Sequence, residues 1–194
     1  MNDIRHAHKV PKIGFSGSAS TEFLKQEDLD LCMKAGAEVV RQGGVLVTGA
    51  TTGTPLWAAR GAKEAGGTSI GLSPARDEKE HVGTYELPLD YMDVIIYTGF
   101  GYSGRDLLFT RSSDAMIIGP GRIGTIHEFT ISFEDHKPVG IMEGDNWETD
   151  EVLKFLIEKS HREQDNKKVF FERDPVRLVS RLLEFVKADK EGHL

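Results

Sequence analysis

Short apolar runs that end in glycine-, serine- and threonine-rich turns, each followed by a helix-length amphipathic stretch, recur along this chain and constrain its fold most. Val10 to Phe15 runs into Ser16-Gly17-Ser18-Ala19-Ser20, and Val45-Leu46-Val47 runs into Thr48-Gly49-Ala50-Thr51-Thr52-Gly53. Between them, from about Phe23 to Gln42, Leu24, Leu31, Ala35, Val39 and Val40 recur near the helical period, and Gly43-Gly44 closes the stretch. Thr54 is the expected N-cap of a helix over Leu56 to Ala65, with Pro55 at its first position, and Thr68 to Leu72 is a third strand. Three strands alternating with two helices require a parallel sheet with right-handed crossovers. After a polar stretch over Ser73 to Tyr91, read as a long loop, the rhythm resumes. Strands are expected at 93–97, 115–118, 138–142 and 168–171, and helices at 105–112, after 119–125, and at 150–161. The last helix opens at Asp174-Pro175 and presents Val176, Val179, Leu182, Leu183 and Val186 on one face. The expectation is an α/β fold, a doubly wound, mainly parallel sheet of about seven strands with helices on both faces. It forms one domain over 1–194, with a lead-in at 1–9 and a tail at 188–194.

In such a sheet ligands sit beyond the carboxyl ends of the strands. Four of those ends carry small-residue turns, at 14–20, 48–54, 98–104 and 119–125. Each opens a helix, and unpaired N–H groups at a helix start attract anions. The formal charge of −7 argues against a nucleic-acid polymer as partner, so a phosphate must be held locally. The residues expected to hold it are Gly17, Ser18, Thr48, Gly49, Gly121, Arg122, Gly124 and Thr125. No turn continues as Gly-Lys-Ser/Thr, and none has the dinucleotide glycine spacing with its acidic residue, which disfavours ATP hydrolysis and hydride transfer. Two plainer readings stand beside this one. Thr125-x-x-Glu128 has the spacing of a capping box, and Arg105 has the setting of a solvated first-turn residue.

No apolar run approaches the roughly 20 residues of a membrane span, and nothing in 1–9 has signal-peptide character. The single cysteine, Cys32, lies in a helical pattern where a small buried hydrophobe is expected, and fits a reducing, cytoplasmic setting. His6-x-His8 lacks further ligands nearby, so neither a metal nor a cofactor is expected.

The stretch Ser113-Asp114-Ala115-Met116-Ile117-Ile118-Gly119-Pro120-Gly121-Arg122-Ile123-Gly124-Thr125-Ile126-His127-Glu128 resembles the signature of the LOG ("lonely guy") phosphoribohydrolases, Pro-Gly-Gly-x-Gly-Thr-x-x-Glu after a Ser-Asp-Ala-like strand. That superfamily includes proteins labelled lysine decarboxylases and the molybdenum-cofactor carriers, all on a Rossmann-like fold. The resemblance extends to Gly14-Phe15-Ser16-Gly17-Ser18, to the loop Val47 to Gly53 and to Gly61 to Gly67. It implies cleavage of the N-glycosidic bond of a nucleoside 5′-monophosphate to free base and ribose 5-phosphate, with Glu128 and Arg105 catalytic. It also implies a homodimer or higher homo-oligomer. The alternative it carries is a nucleotide or molybdenum-cofactor carrier without turnover. Lysine decarboxylation is not expected, because no lysine has a cofactor-linking context. The chain departs from the pattern in three places. Arg122 replaces a glycine, Asp106 replaces a lysine, and the second loop lacks its three consecutive glycines.

Overall fold

The computed structural model describes residues 10–192 apart from 146 and 163, so the 1–9 lead-in and its His6-x-His8 pair lie outside the described residues. Seven strands alternate with seven helices: β1 Lys12–Ser16, α1 Gln26–Arg41, β2 Val45–Thr48, α2 Thr54–Glu64, β3 Ser69–Ser73, α3 Glu78–Gly83, β4 Val94–Tyr97, α4 Gly101–Ser112, β5 Ala115–Ile118, α5 Ile123–Glu134, β6 Val139–Met142, α6 Glu148–Ser160, β7 Val169–Glu172 and α7 Pro175–Gly192. All strand pairs are parallel, in the order β4-β3-β2-β1-β5-β6-β7. The expected doubly wound sheet is the observed one.

Strand alternation divides the core into two layers. Ile13, Phe15, Leu46 and Ile117 face α1, α2 and α7, where Val39, Ala58, Ala62, Leu178 and Leu182 complete the packing. Val47, Leu72, Met116, Ile118 and Ile141 face the other way, onto Phe109 of α4, Phe129 and Phe133 of α5, and Leu153 of α6. The α1–α2 contact is close because Gly36 meets it without a side chain. A Cβ there would stand 1.9 Å from the carbonyl oxygen of Ala58. Cys32 lies fully buried in this layer, and burial pushes its thiol above the ordinary range.

Four expectations require correction. The stretch 73–91 contains the short helix α3, started by Asp77, whose carboxylate accepts from the Glu80 N–H at 2.8 Å. Helix α4 begins at Gly101, so half of the 98–104 turn is helical. Thr54 is the first residue of α2 and not its cap; Gly53, at φ +72°, holds that place. The expected tail is helical as far as 192. It is anchored by Lys168 Nζ on Asp189 at 2.7 Å and by Lys190 Nζ on Asp114 at 3.1 Å.

The chain winds outward from β1 to β4, then returns to place β5 on the other side of β1. The turns that leave β1 and β5 therefore diverge and open a crevice between them. Helix α4 makes the return journey and packs on α5, which brings its first turns to that crevice.

Candidate functional site

Three turns meet at the crevice and are stitched to one another by their backbones. The Ser18 N–H donates to Pro120 O at 2.9 Å, and the Thr54 N–H donates to Ser18 O at 2.9 Å. The Thr54 hydroxyl lies 3.4 Å from Ser18 O and 3.5 Å from Pro120 O. Gly17 is required for this approach, since a Cβ on it would fall 2.1 Å from Thr54 Oγ1. The turns after β1, β2 and β5 thus form one surface.

That surface floors a cavity of about 230 Å³, lined among others by Ser16, Gly49, Arg105, Asp106, Thr125 and Glu128. The starts of α2 and α5 flank it, and neither has a side-chain cap. At α5 the first N–H groups and the positive dipole end are suited to an anion, whereas at α2 the Thr54 N–H is taken by Ser18 O and Pro55 carries none.

The charged floor comes from two helices and one strand end. Arg105 and Asp106 stand on α4, Glu128 on α5, and Ser16 ends β1; all are buried. The Arg105 guanidinium lies over Gly49, in the space a side chain there would fill. Its Nη1 is 3.8 Å from Glu128 Oε1, and its Nε is 3.3 Å from Asp106 Oδ1. That Nε has no hydrogen-bond acceptor. An incompletely paired buried guanidinium is costly without a ligand and useful with one. The Ser16 hydroxyl donates to Glu128 Oε2. Asp106 Oδ2 is 2.9 Å from His127 Nδ1, and the His127 ring reaches the outer surface of α5.

Burial pushes the Glu128 carboxyl up to about 8. Arg105 opposes the rise, but the neighbouring Asp106 adds to it, because two carboxylates at hydrogen-bond reach cannot both ionise freely. At neutral pH Glu128 therefore keeps its proton beside the Arg105 guanidinium. At the rim, the Arg122 guanidinium stacks 4.6 Å from the Phe23 ring centroid. On the opposite wall Tyr102 lies 5.8 Å from the Arg105 guanidinium, edge-on to Tyr85.

Arg105, Glu128, Gly17, Gly49, Arg122, Gly124 and Thr125 all line this one cavity. Three residues expected to contact phosphate, Ser18, Thr48 and Gly121, are not among those that line it. Ser18 Oγ accepts the Ser20 N–H at 3.2 Å, and Thr48 Oγ1 accepts the Ala50 N–H at 3.3 Å, both behind the cavity wall. The Gly121 N–H donates to Thr149 Oγ1 at 2.8 Å, and Thr149 returns its hydroxyl to Gly121 O at 2.8 Å. These three shape the loops from behind. The Thr125–Glu128 capping box does not form either. The N-cap of α5 is Arg122, which places Thr125 inside the helix and leaves Glu128 free to face Ser16 and Arg105. Arg105 is not solvated but 6% exposed.

Sequence reasoning missed Ser16 and His127 and treated Asp106 only as a departure. Ser16 had a signal in its position at the end of β1. His127 had none, since its partner stands 21 residues away on another helix. Among the described residues no group of three or more His, Cys, Asp or Glu side chains is placed to hold a metal ion. No described helix is long and apolar enough to cross a membrane.

The family model described as the SLOG cluster4 family matches residues 10–179. An uncharacterized protein of Archaeoglobus fulgidus is 29% identical over 131 residues, which is 68% of this chain and 79% of that protein. Among solved structures, the Moco carrier protein of Chlamydomonas reinhardtii superposes with a TM-score of 0.73 at 27% identity, covering 93% of this chain and 99% of that one. The molybdenum cofactor binding protein of Rippkaea orientalis superposes with a TM-score of 0.70 at 25% identity, covering 94% and 99% respectively.

Proposed function

The chain belongs to the SLOG cluster4 family, within the LOG-like superfamily that its motif resembles, and from that premise we propose a nucleoside 5′-monophosphate phosphoribohydrolase. The carrying observation is the convergence of Arg105 and Glu128, from separate helices, in the floor of a cavity that the uncapped start of α5 flanks. The 5′-phosphate binds where the α5 start presents the backbone of Gly124 and Thr125, with Arg122 adding a cation at the rim. A neutral Glu128 favours this, since an ionised one would repel the dianion. Anchored there, the nucleotide brings its ribose over Arg105, Asp106 and Glu128, and binding of the remote phosphate positions C1′ for reaction. As the C1′–N bond breaks, positive charge grows on the ribose and the floor carboxyls stabilise it. Water adds at C1′, giving ribose 5-phosphate and free base.

The same reading includes a cytoplasmic homo-oligomer. The exposed Val94 and Ile96 of β4 and Leu107 and Leu108 of α4 support an apolar contact face.

One observation favours a second reading, a carrier of a molybdenum-cofactor-type cargo. A carboxyl that stays protonated at neutral pH suits holding an anionic ligand as well as cleaving one, and two of the similar structures are a molybdenum cofactor binding protein and a Moco carrier protein. Incubating the protein with a panel of nucleoside monophosphates, and following free base by chromatography, separates the two. The hydrolase releases base, and Glu128→Gln lowers the rate by roughly 10²–10⁴-fold. Tight nucleotide binding with no release, unaltered by Glu128→Gln, overturns the hydrolase in favour of the carrier.

A further inference from the structure

Resting on the hydrolase reading, we infer that the two floor carboxyls divide the work: Asp106, flanked by His127 and Arg105, faces the cationic ribose, and Glu128 is the proton donor. The two are almost equally buried, with side chains 8% and 9% exposed, so burial alone does not choose between them. Their partners do. Asp106 has the His127 Nδ1 at 2.9 Å on one oxygen and the Arg105 Nε at 3.3 Å on the other. Glu128 has a neutral serine hydroxyl on one oxygen and a guanidinium nitrogen only at 3.8 Å from the other. Charge settles where nitrogen donors lie closest, and the remaining carboxyl of a close pair keeps the proton.

Among the described residues the groups facing Glu128 are few. They are Ser16 from β1 and Arg105 and Asp106 from α4, with Tyr102 beyond the guanidinium; on its own helix His127 turns to Asp106 and Arg122 to Phe23. None supplies a second close cation to ionise it. The elevated value for Glu128 agrees with this order. Asp106 stands where the LOG pattern carries lysine, so this acid–carboxylate pair comes from the chain's own departure from that pattern.

The chemistry balances without a further reactant. The Glu128 carboxyl proton passes to a ring nitrogen of the leaving base while the C1′–N electron pair goes to that base. Asp106 faces the cationic ribose. One water adds its oxygen to C1′ and returns a proton to Glu128. A base that leaves as a neutral, protonated heterocycle is the substrate class such a donor favours.

Carboxyl NMR titration of the full chain with ¹³C-labelled Glu and Asp tests the assignment, with Asp106→Asn and Glu128→Gln identifying the resonances. The expected result is Glu128 still protonated near about pH 7. Asp106→Asn is expected to move the Glu128 midpoint down, as the like charge is lost. Glu128 ionised at neutral pH, or titrating at an ordinary carboxyl value, overturns the assignment. Where turnover is present, kcat/KM is expected to fall about tenfold per pH unit above the Glu128 midpoint; a rise there removes the donor role. Absence of turnover across the nucleotide panel overturns the hydrolase and the donor role with it. The titration decides the placement of charge independently.

Discussion

The two ends of β5 each lead to a buried or half-buried acid, and the two acids meet opposite fates. Asp114, at the entry, accepts the Lys12 N–H at 2.8 Å and the Lys12 ammonium at 3.0 Å, with the Lys190 ammonium at 3.1 Å. Burial works to raise its carboxyl, but these donors outweigh burial and bring it below the ordinary value. Glu128, beyond the exit, meets the same effect of burial with one distant guanidinium, which it shares with a second carboxyl. The entry cluster is complete and the exit cluster is short of cations. A fold can seal an electrostatic site or leave it unfinished, and the unfinished one is where a ligand has something to contribute.

The largest blow to that contrast is Arg105→Leu. It removes the guanidinium of the exit floor and leaves Asp106 with His127 as its partner. A loss of about 3 kcal/mol is expected in denaturant unfolding, together with loss of nucleotide binding. No change in midpoint would mean that the exit cluster was never held by its guanidinium.

A smaller effect sharpens the contrast through pH. Between about 4.5 and about 8 native Glu128 keeps a proton that the unfolded chain releases, so rising pH favours unfolding across that window. Its contribution to stability is fully present below the window and lost above it. Glu128→Gln is expected to flatten that component of the thermal-midpoint profile. Asp114 works in the reverse sense. Its stabilisation is present above its ordinary value of 3.8 and lost as pH falls below it, so Asp114→Asn flattens only the acid limb.

At neutral pH Asp114→Asn is expected to cost about 1 kcal/mol, because the cluster is half-solvated and screened by salt. The smallest change in stability belongs to Arg122→Gly, which restores the glycine of the motif at the rim. Unfolding is expected to shift by no more than about 0.5 kcal/mol, while affinity for a 5′-monophosphate, followed by calorimetry, weakens several-fold. Unchanged affinity would remove Arg122 from the phosphate site.

The sheet was legible in the sequence because burial of both its faces leaves continuous apolar runs, and glycines punctuate their ends. The convergence of Arg105 and Glu128 was legible only through the family resemblance. Nothing in local spacing relates a residue at the start of α4 to one inside α5. The Asp106–His127 contact was invisible for the same reason, since the α4–α5 crossing creates it. Thr54 and Gly121 have the right types for a cap or an anion contact, yet tertiary partners in neighbouring loops claimed both, and the start of α5 at Ile123 puts Thr125 inside the helix, where it lines the cavity without forming a capping box. Helix α3 was missed because a six-residue polar helix has too few apolar positions to show a period.

The stitching of the three turns limits how this protein can diversify. Ser18 is fastened to Pro120 and Thr54 to Ser18, so lengthening any one turn would displace the other two and the floor above which they sit. Insertions, the usual way in which α/β proteins acquire new substrates, are therefore closed off at the centre of the site. New specificity has to arise by exchange of side chains at the rim, at Phe23, Tyr102 and Arg122, where nothing in the stitched backbone has to move.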